Sequence, residues 1–181
     1  MSHTRLALVT LAVTGVVITG GTAMAATQSA TDASGDAAQA ADITRVTVTN
    51  GDHLLSIRVK LSKASAARTH LVATLTSPAE GGATYVARTV VLPAGGNGHS
   101  HAQRIGATLE TTAAGATEAT PVECDGIKAT LSSGLQGQSS IRIPQSCFGD
   151  DAGTMIVDVA TATASGAVAD EVPGALRVRQ G

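Results

Sequence analysis

Aromatic side chains are almost missing from this chain: its 181 residues include no Trp, one Tyr (Tyr85) and one Phe (Phe148). Sugars, nucleobases and quaternary amines are commonly held on flat π faces, so a stacking platform or an aromatic cage has almost nothing to be built from. Basic residues are also sparse, 12 Lys and Arg against 14 Asp and Glu. A nucleic-acid surface needs a cationic excess to displace counterions, so nucleic acid is set aside as a partner. Cysteine is limited to Cys124 and Cys147, without the C-x-x-C spacing of a redox pair or a zinc site. Long apolar runs are missing outside the first two dozen residues.

That first run has its own logic. Arg5 and the amino terminus precede an apolar stretch from Leu6 to Ile18, followed by Gly20, Gly21, Thr22 and an A-x-A triplet, Ala23-Met24-Ala25. The stretch is too short for a comfortable membrane span and reads as a signal peptide over residues 1–25, cleaved before Ala26. No Cys follows it to accept a lipid, and the tail Leu176 to Gly181 is too short and too charged to anchor the chain. The expectation is a secreted, extracellular protein with no membrane span after processing. In that oxidising compartment Cys124 and Cys147 are expected to pair, and a loop of about two dozen residues closed in this way contributes roughly 3 kcal/mol in the chain-entropy model. Such a staple matters here, because Val, Leu, Ile and Phe make up only about one residue in five of the exported part, near the lower edge of folded compositions.

Residues 26–41, ATQSATDASGDAAQAA, carry no large apolar side chain. With nothing to bury, they are expected to form a disordered leader ahead of a domain spanning 42–181. From Asp42 the hydrophobic period becomes two. Val46 and Val48 alternate with polar residues, Asn50-Gly51-Asp52 supplies a type I′ turn signal, and Leu55, Ile57, Val59 and Leu61 alternate with Ser56, Arg58 and Lys60. Further strands are expected at 70–76, 84–92, 103–109, 122–131, 139–143, 154–163 and 176–178, separated by Gly, Pro, Asn and Asp breaks. Sustained helical spacing is not found. Eight or nine short strands of this kind indicate an all-β antiparallel sandwich, jelly-roll-like, with one disulfide. A strand starting at Cys124 and a second running back toward Cys147 would bring both sulfurs to the open end of one hairpin.

The hairpin beginning Asp42-Ile43-Thr44-Arg45, Cys124, the segment Ile141-Arg142-Ile143-Pro144-Gln145-Ser146-Cys147-Phe148-Gly149, the strand Val157-Asp158-Val159 and the late Asp170-Glu171-Val172-Pro173 form a pattern. Over residues 42 to 178 it resembles uncharacterised small secreted β-sandwich proteins of high-GC Gram-positive bacteria. The resemblance implies a secreted sandwich, and it implies no activity.

Candidate sites are few. His99-Ser100-His101 would put two imidazoles on one face of a strand, a start for a Cu or Zn site, although the flanking glycines favour a solvated loop. Asp150-Asp151, with Asp42, Asp158 and Asp170 elsewhere, could offer carboxylates to Ca, or simply form a turn. No G-x-S-x-G elbow or Ser-x-x-Lys motif supports a nucleophile, and paired carboxylates for sugar cleavage would lack aromatic subsites. Arg45, Arg58, Lys60, Arg88, Arg104 and Arg142 fall on the polar phases of expected strands, where they form either a positive strip or an ordinary solvated face. The sequence therefore describes a non-catalytic binding or structural module, with a cell-wall polymer or another extracellular protein as partner. Its alternatives are a carbohydrate-binding jelly roll and an extracellular metal-binding protein.

Overall fold

The computed structural model describes residues 25–92, 104–151 and 153–181. The signal segment therefore lies outside the described residues, apart from Ala25. Strands dominate. A first sheet joins β1 (Ala26–Thr31), β2 (Ile43–Asn50), β3 (Leu54–Leu61), β11 (Gln138–Pro144) and β9 (Lys128–Ser132), in that order across the sheet. A second has the order β13 (Val168–Glu171), β12 (Met155–Ala162), β5 (His70–Thr76), β6 (Thr84–Leu92), β7 (Arg104–Thr112) and β8 (Thr120–Pro121), with β14 (Leu176–Val178) also on β12. A two-residue ladder of β4 (Lys63–Ala64) and β10 (Gly134–Leu135) sits apart from both, and every pairing is antiparallel. Gly137 lies against this ladder, where an added Cβ would collide with that of Ala64.

The alternation read from the sequence is what places these strands face to face. Val46, Val48, Leu55, Ile57, Val59, Ile141 and Ile143 from the first sheet meet Leu71, Ala73, Leu75, Ala87, Leu109, Val157 and Val159 from the second in one buried cluster. A fully buried aliphatic side chain of this size contributes about 1.5–3 kcal/mol of transfer free energy, so the period of two is the main fold-directing signal. The chain's two aromatic rings are spent on each other. Tyr85 and Phe148 pack edge to face, 5.1 Å between centroids, and the Tyr85 hydroxyl donates to the Phe148 carbonyl at 3.0 Å. Both are buried, 6% and 2% exposed, so neither offers a face to a ligand.

The disulfide forms as expected between Cys124 and Cys147, with Cα atoms 5.3 Å apart. Cys124 lies ahead of β9, and Cys147 lies in the 3₁₀ segment Gln145–Asp151 that follows β11, so the bridge closes the open end of the β9–β11 hairpin. The same end of the sandwich is tied by a buried amide network. Asn50, fully buried, donates to the Gly153 carbonyl at 2.6 Å, and Gln145 donates to the Asn50 side-chain oxygen and to the Gly51 carbonyl.

Four expectations are corrected. Residues 26–31 of the supposed disordered leader form β1, the edge strand, in register with β2 from Ala26↔Asn50 to Thr31↔Arg45. Main-chain ladder bonds, a Thr27–Thr49 hydroxyl contact at 3.0 Å and Ala30 against the core replace the large apolar side chains that β1 lacks. The β2–β3 connection is not a type I′ turn, because neither Asn50 nor Gly51 has positive φ. Gly51 instead donates to the Leu54 carbonyl across a longer loop. The strand expected over 122–131 begins only at Lys128, the preceding segment being a loop that carries Cys124. Among the described residues strands number fourteen rather than eight or nine, the surplus being mostly short ladders such as β4, β8 and β10.

Candidate functional site

A solvent-facing sheet surface is set by the same alternation that builds the core. On β2 the outward residues are Arg45, Thr47 and Thr49, and on β3 they are Lys60, Arg58 and Ser56 in matching rows. On β11 they are Gln138, Ser140 and Arg142, and on β9 Ser132, Thr130 and Lys128. β1 completes the rows with Thr31, Ser29 and Thr27. Hydroxyl contacts between Thr27 and Thr49, and between Thr130 and Ser140 at 2.8 Å, confirm that these residues share a face. The face is built from Ser, Thr, Gln and five cations, with Leu54 and Pro144 paired at one end of it; its strand positions include no carboxylate.

The cations are not scattered. Arg45 stands directly across from Lys60, Arg58 follows two residues back along β3, and Arg142 stands directly across from Lys128. They form a diagonal stripe one charge wide. With strands about 4.8 Å apart and alternate residues about 6.7 Å apart, it runs about 20 Å from Arg45 to Lys128. Two of its steps are like-charge pairs directly opposite in an antiparallel ladder, an arrangement that destabilises a sheet by a few tenths of a kcal/mol to about 1 kcal/mol per pair. All five cations are exposed, and none forms an ion pair among the described residues.

The other sheet's outer face differs. It carries Val72 and Val86 together with Arg88, Glu110 and Asp158, and the Arg88 and Glu110 side chains approach to 4.0 Å. Of the six cations read as one strip, Arg45, Arg58, Lys60 and Arg142 therefore share a face, while Arg88 and Arg104 lie on the second sheet. Lys128 joins the stripe although sequence reasoning did not single it out; its outward phase in the strand through Ile127 and Ala129 was the available signal.

Among the metal candidates, His99 and His101 lie outside the described residues, so the Cu or Zn pair has no geometry here. Asp150 and Asp151 close the 3₁₀ segment, with their side chains outside the described set. Asp158 sits on the outer face of the second sheet, away from Asp170, which lies at the far end with Asp42. At that end Asp170 is joined by Asp32 and Asp36, which were not among the candidates. A cleft of about 730 Å³ opens nearby, lined largely by alanines with Lys63 and Arg68. No helix among the described residues is long and apolar enough to cross a membrane.

Compared with protein-family models, with curated proteins and with solved structures, the chain finds no match.

Proposed function

We propose that the protein is a secreted, non-catalytic binding module whose ligand is a linear phosphate-bearing polymer of the cell envelope, gripped by the stripe Arg45–Lys60–Arg58–Arg142–Lys128. The observation that carries this reading is the pair of like-charge cross-strand contacts on a face without a single acid. Repulsion of that kind is a local cost to the free protein, and such violations of local preference concentrate where a ligand relieves them. A chain of phosphates does so by lying along the stripe, where each guanidinium group donates to two phosphate oxygens at once and the flanking Ser and Thr hydroxyls donate further bonds. The stripe is one charge wide, which suits a thread of charge better than a lipid surface. The one large apolar side chain exposed on its strands, Leu54, stands at the end of the face and not along the stripe, which is too little to enter the acyl region of a bilayer. Sugar stacking is disfavoured by the burial of both aromatic rings. Secretion is supported by the signal-like amino terminus and agrees with the Cys124–Cys147 bridge.

Co-sedimentation with purified Gram-positive cell walls tests the reading. Retention on walls that keep their phosphodiester polymers, and its loss on acid-stripped walls, is the expected result. Equal binding to both preparations, or binding only to anionic lipid vesicles, would overturn it.

A further inference from the structure

The cleft beside β4 is separate from the stripe, and the way it is built points to a class of ligand. It holds about 730 Å³, within the roughly 300–1,000 Å³ of small-molecule sites, and seven of its twelve lining residues are alanine. Ala41 and Ala162, both buried, form its floor, and Ala38 and Ala164 stand exposed at its rim. Where core positions carry Leu, Ile or Val, these stop at a methyl group and leave the volume unfilled.

The main chain of the wall is engaged within the protein. The Ala38 carbonyl accepts from the Ala41 and Asp42 amides at 2.7 and 2.9 Å, and the Gln39 carbonyl from the Lys63 amide at 3.0 Å. The Ala40 carbonyl accepts from the Thr69 hydroxyl at 2.6 Å, and the Ala41 carbonyl from the Thr161 hydroxyl at 2.7 Å. All four carbonyls of residues 38–41 are therefore committed, and the bonds that commit them pin the wall to β4, to β12 and to the turn before β5. A peptide that adds itself as a strand needs free main-chain groups, and a sugar needs partners for its hydroxyls. A hydrocarbon chain needs neither.

Charge sets the other end of the ligand. Lys63 and Arg68, on either side of the turn at residues 65–69, both line the cleft, both are exposed, and neither forms an ion pair among the described residues. No Asp or Glu is among the described residues that line it. The neighbouring acids face other partners, Asp42 the Gly35 amide and the Ser62 hydroxyl, Asp170 the Ile43 amide.

We propose that this cleft binds a single-chain fatty acid as a free monomer, with the hydrocarbon along the alanines and the carboxylate held by Lys63 and Arg68. The Arg68 guanidinium donates to both carboxylate oxygens at once, and Lys63 adds a point charge beside it.

Calorimetric titration of sodium dodecanoate, kept below its micelle concentration, into the disulfide-intact protein tests the site, with octanoate, decanoate and dodecyltrimethylammonium alongside. One site is expected, its affinity rising about fourfold for each two methylenes added, because a cleft open on one side gives about half the free energy of full burial. Dodecyltrimethylammonium, the same chain with the opposite charge, should bind at least about tenfold more weakly. Lys63→Gln with Arg68→Gln alters only exposed side chains, so the protein should fold normally and lose about tenfold in dodecanoate affinity. Ala164→Phe, which occupies the rim, should weaken both surfactants, and Arg58→Glu with Arg142→Glu on the stripe should weaken neither. No heat at about 1 mM dodecanoate, where a buried chain of this length saturates its site, would overturn the proposal. So would an affinity independent of chain length, equal binding of the two head groups, or a Lys63→Gln/Arg68→Gln protein that binds dodecanoate like the parent. Loss of binding in the stripe variant would likewise overturn it, by moving the carboxylate to the other site.

Discussion

The two outer faces of this sandwich arise from the same rule and end in different chemistry. Both are the polar phase of strands whose other phase fills the core. The second sheet fills its outer face as sheets commonly do, with β-branched residues such as Val72 and Val86 and with charges of both signs, among them the Arg88–Glu110 approach. The first sheet carries mainly hydroxyls and cations with no carboxylate on its strand positions, and sets two cation pairs against each other. The contrast teaches that exposure alone does not mark a functional face. What marks it is an arrangement that the isolated fold has no reason to prefer.

The largest expected effect concerns the hairpin that carries Arg142 and Lys128, two of the stripe's five cations. Replacing Cys124 and Cys147 by Ser frees the base of β9–β11, and about 3 kcal/mol of unfolding free energy should be lost in urea titrations. A loss below about 1 kcal/mol would mean that the bridge is incidental to this sheet. Next comes charge reversal. Arg58→Glu with Arg142→Glu should weaken binding to a phosphodiester polymer by about 100-fold, while Arg88→Glu with Arg104→Glu should change it less than threefold. Equal losses for the two pairs, read by the same co-sedimentation, would show that only net charge matters and would erase the distinction between the faces.

Stability sharpens the comparison further. Tyr85→Phe removes the donor to the buried Phe148 carbonyl while keeping the ring contact, and should cost about 1 kcal/mol with binding unaltered. The smallest effect is the most diagnostic. Arg45→Thr removes a like-charge partner of Lys60 and introduces a β-branched residue, so the free protein should gain about 0.3–1 kcal/mol. Arg88→Thr, which gives up an exposed ion pair, should stay within about 0.5 kcal/mol of the parent. A destabilised Arg45→Thr protein would mean that the stripe carries no strain.

Much of this fold can be read from the chain, and the limits of that reading are physical. Strands such as β3 and β5, whose alternate residues are buried, announce themselves because a one-residue slip would turn every aliphatic outward. β1 does not, since Ala, Ser, Thr and Gln carry little hydrophobic contrast and its place is fixed by backbone pairing to β2. Two-residue ladders have no period at all. For the candidate face, strand phase tells which cations point outward, but not which sheet they belong to, so Arg88 and Arg104 were grouped with the others. The acidic cluster was less legible still. Asp32 and Asp170 belong to distant parts of the chain, and their meeting depends on the Ile43 amide that docks β2 onto the Asp170 carboxylate.

The salt dependence of binding decides whether a thread of phosphates lies along the stripe. Anisotropy titrations of a fluorescent poly(glycerol phosphate) oligomer should show affinity falling roughly 100-fold between about 50 and 200 mM salt, as release of counterions at up to five contacts requires. The Arg58→Glu/Arg142→Glu protein should lose most of that slope together with the affinity. An affinity that does not respond to salt, or one that survives the reversal intact, would contradict the account.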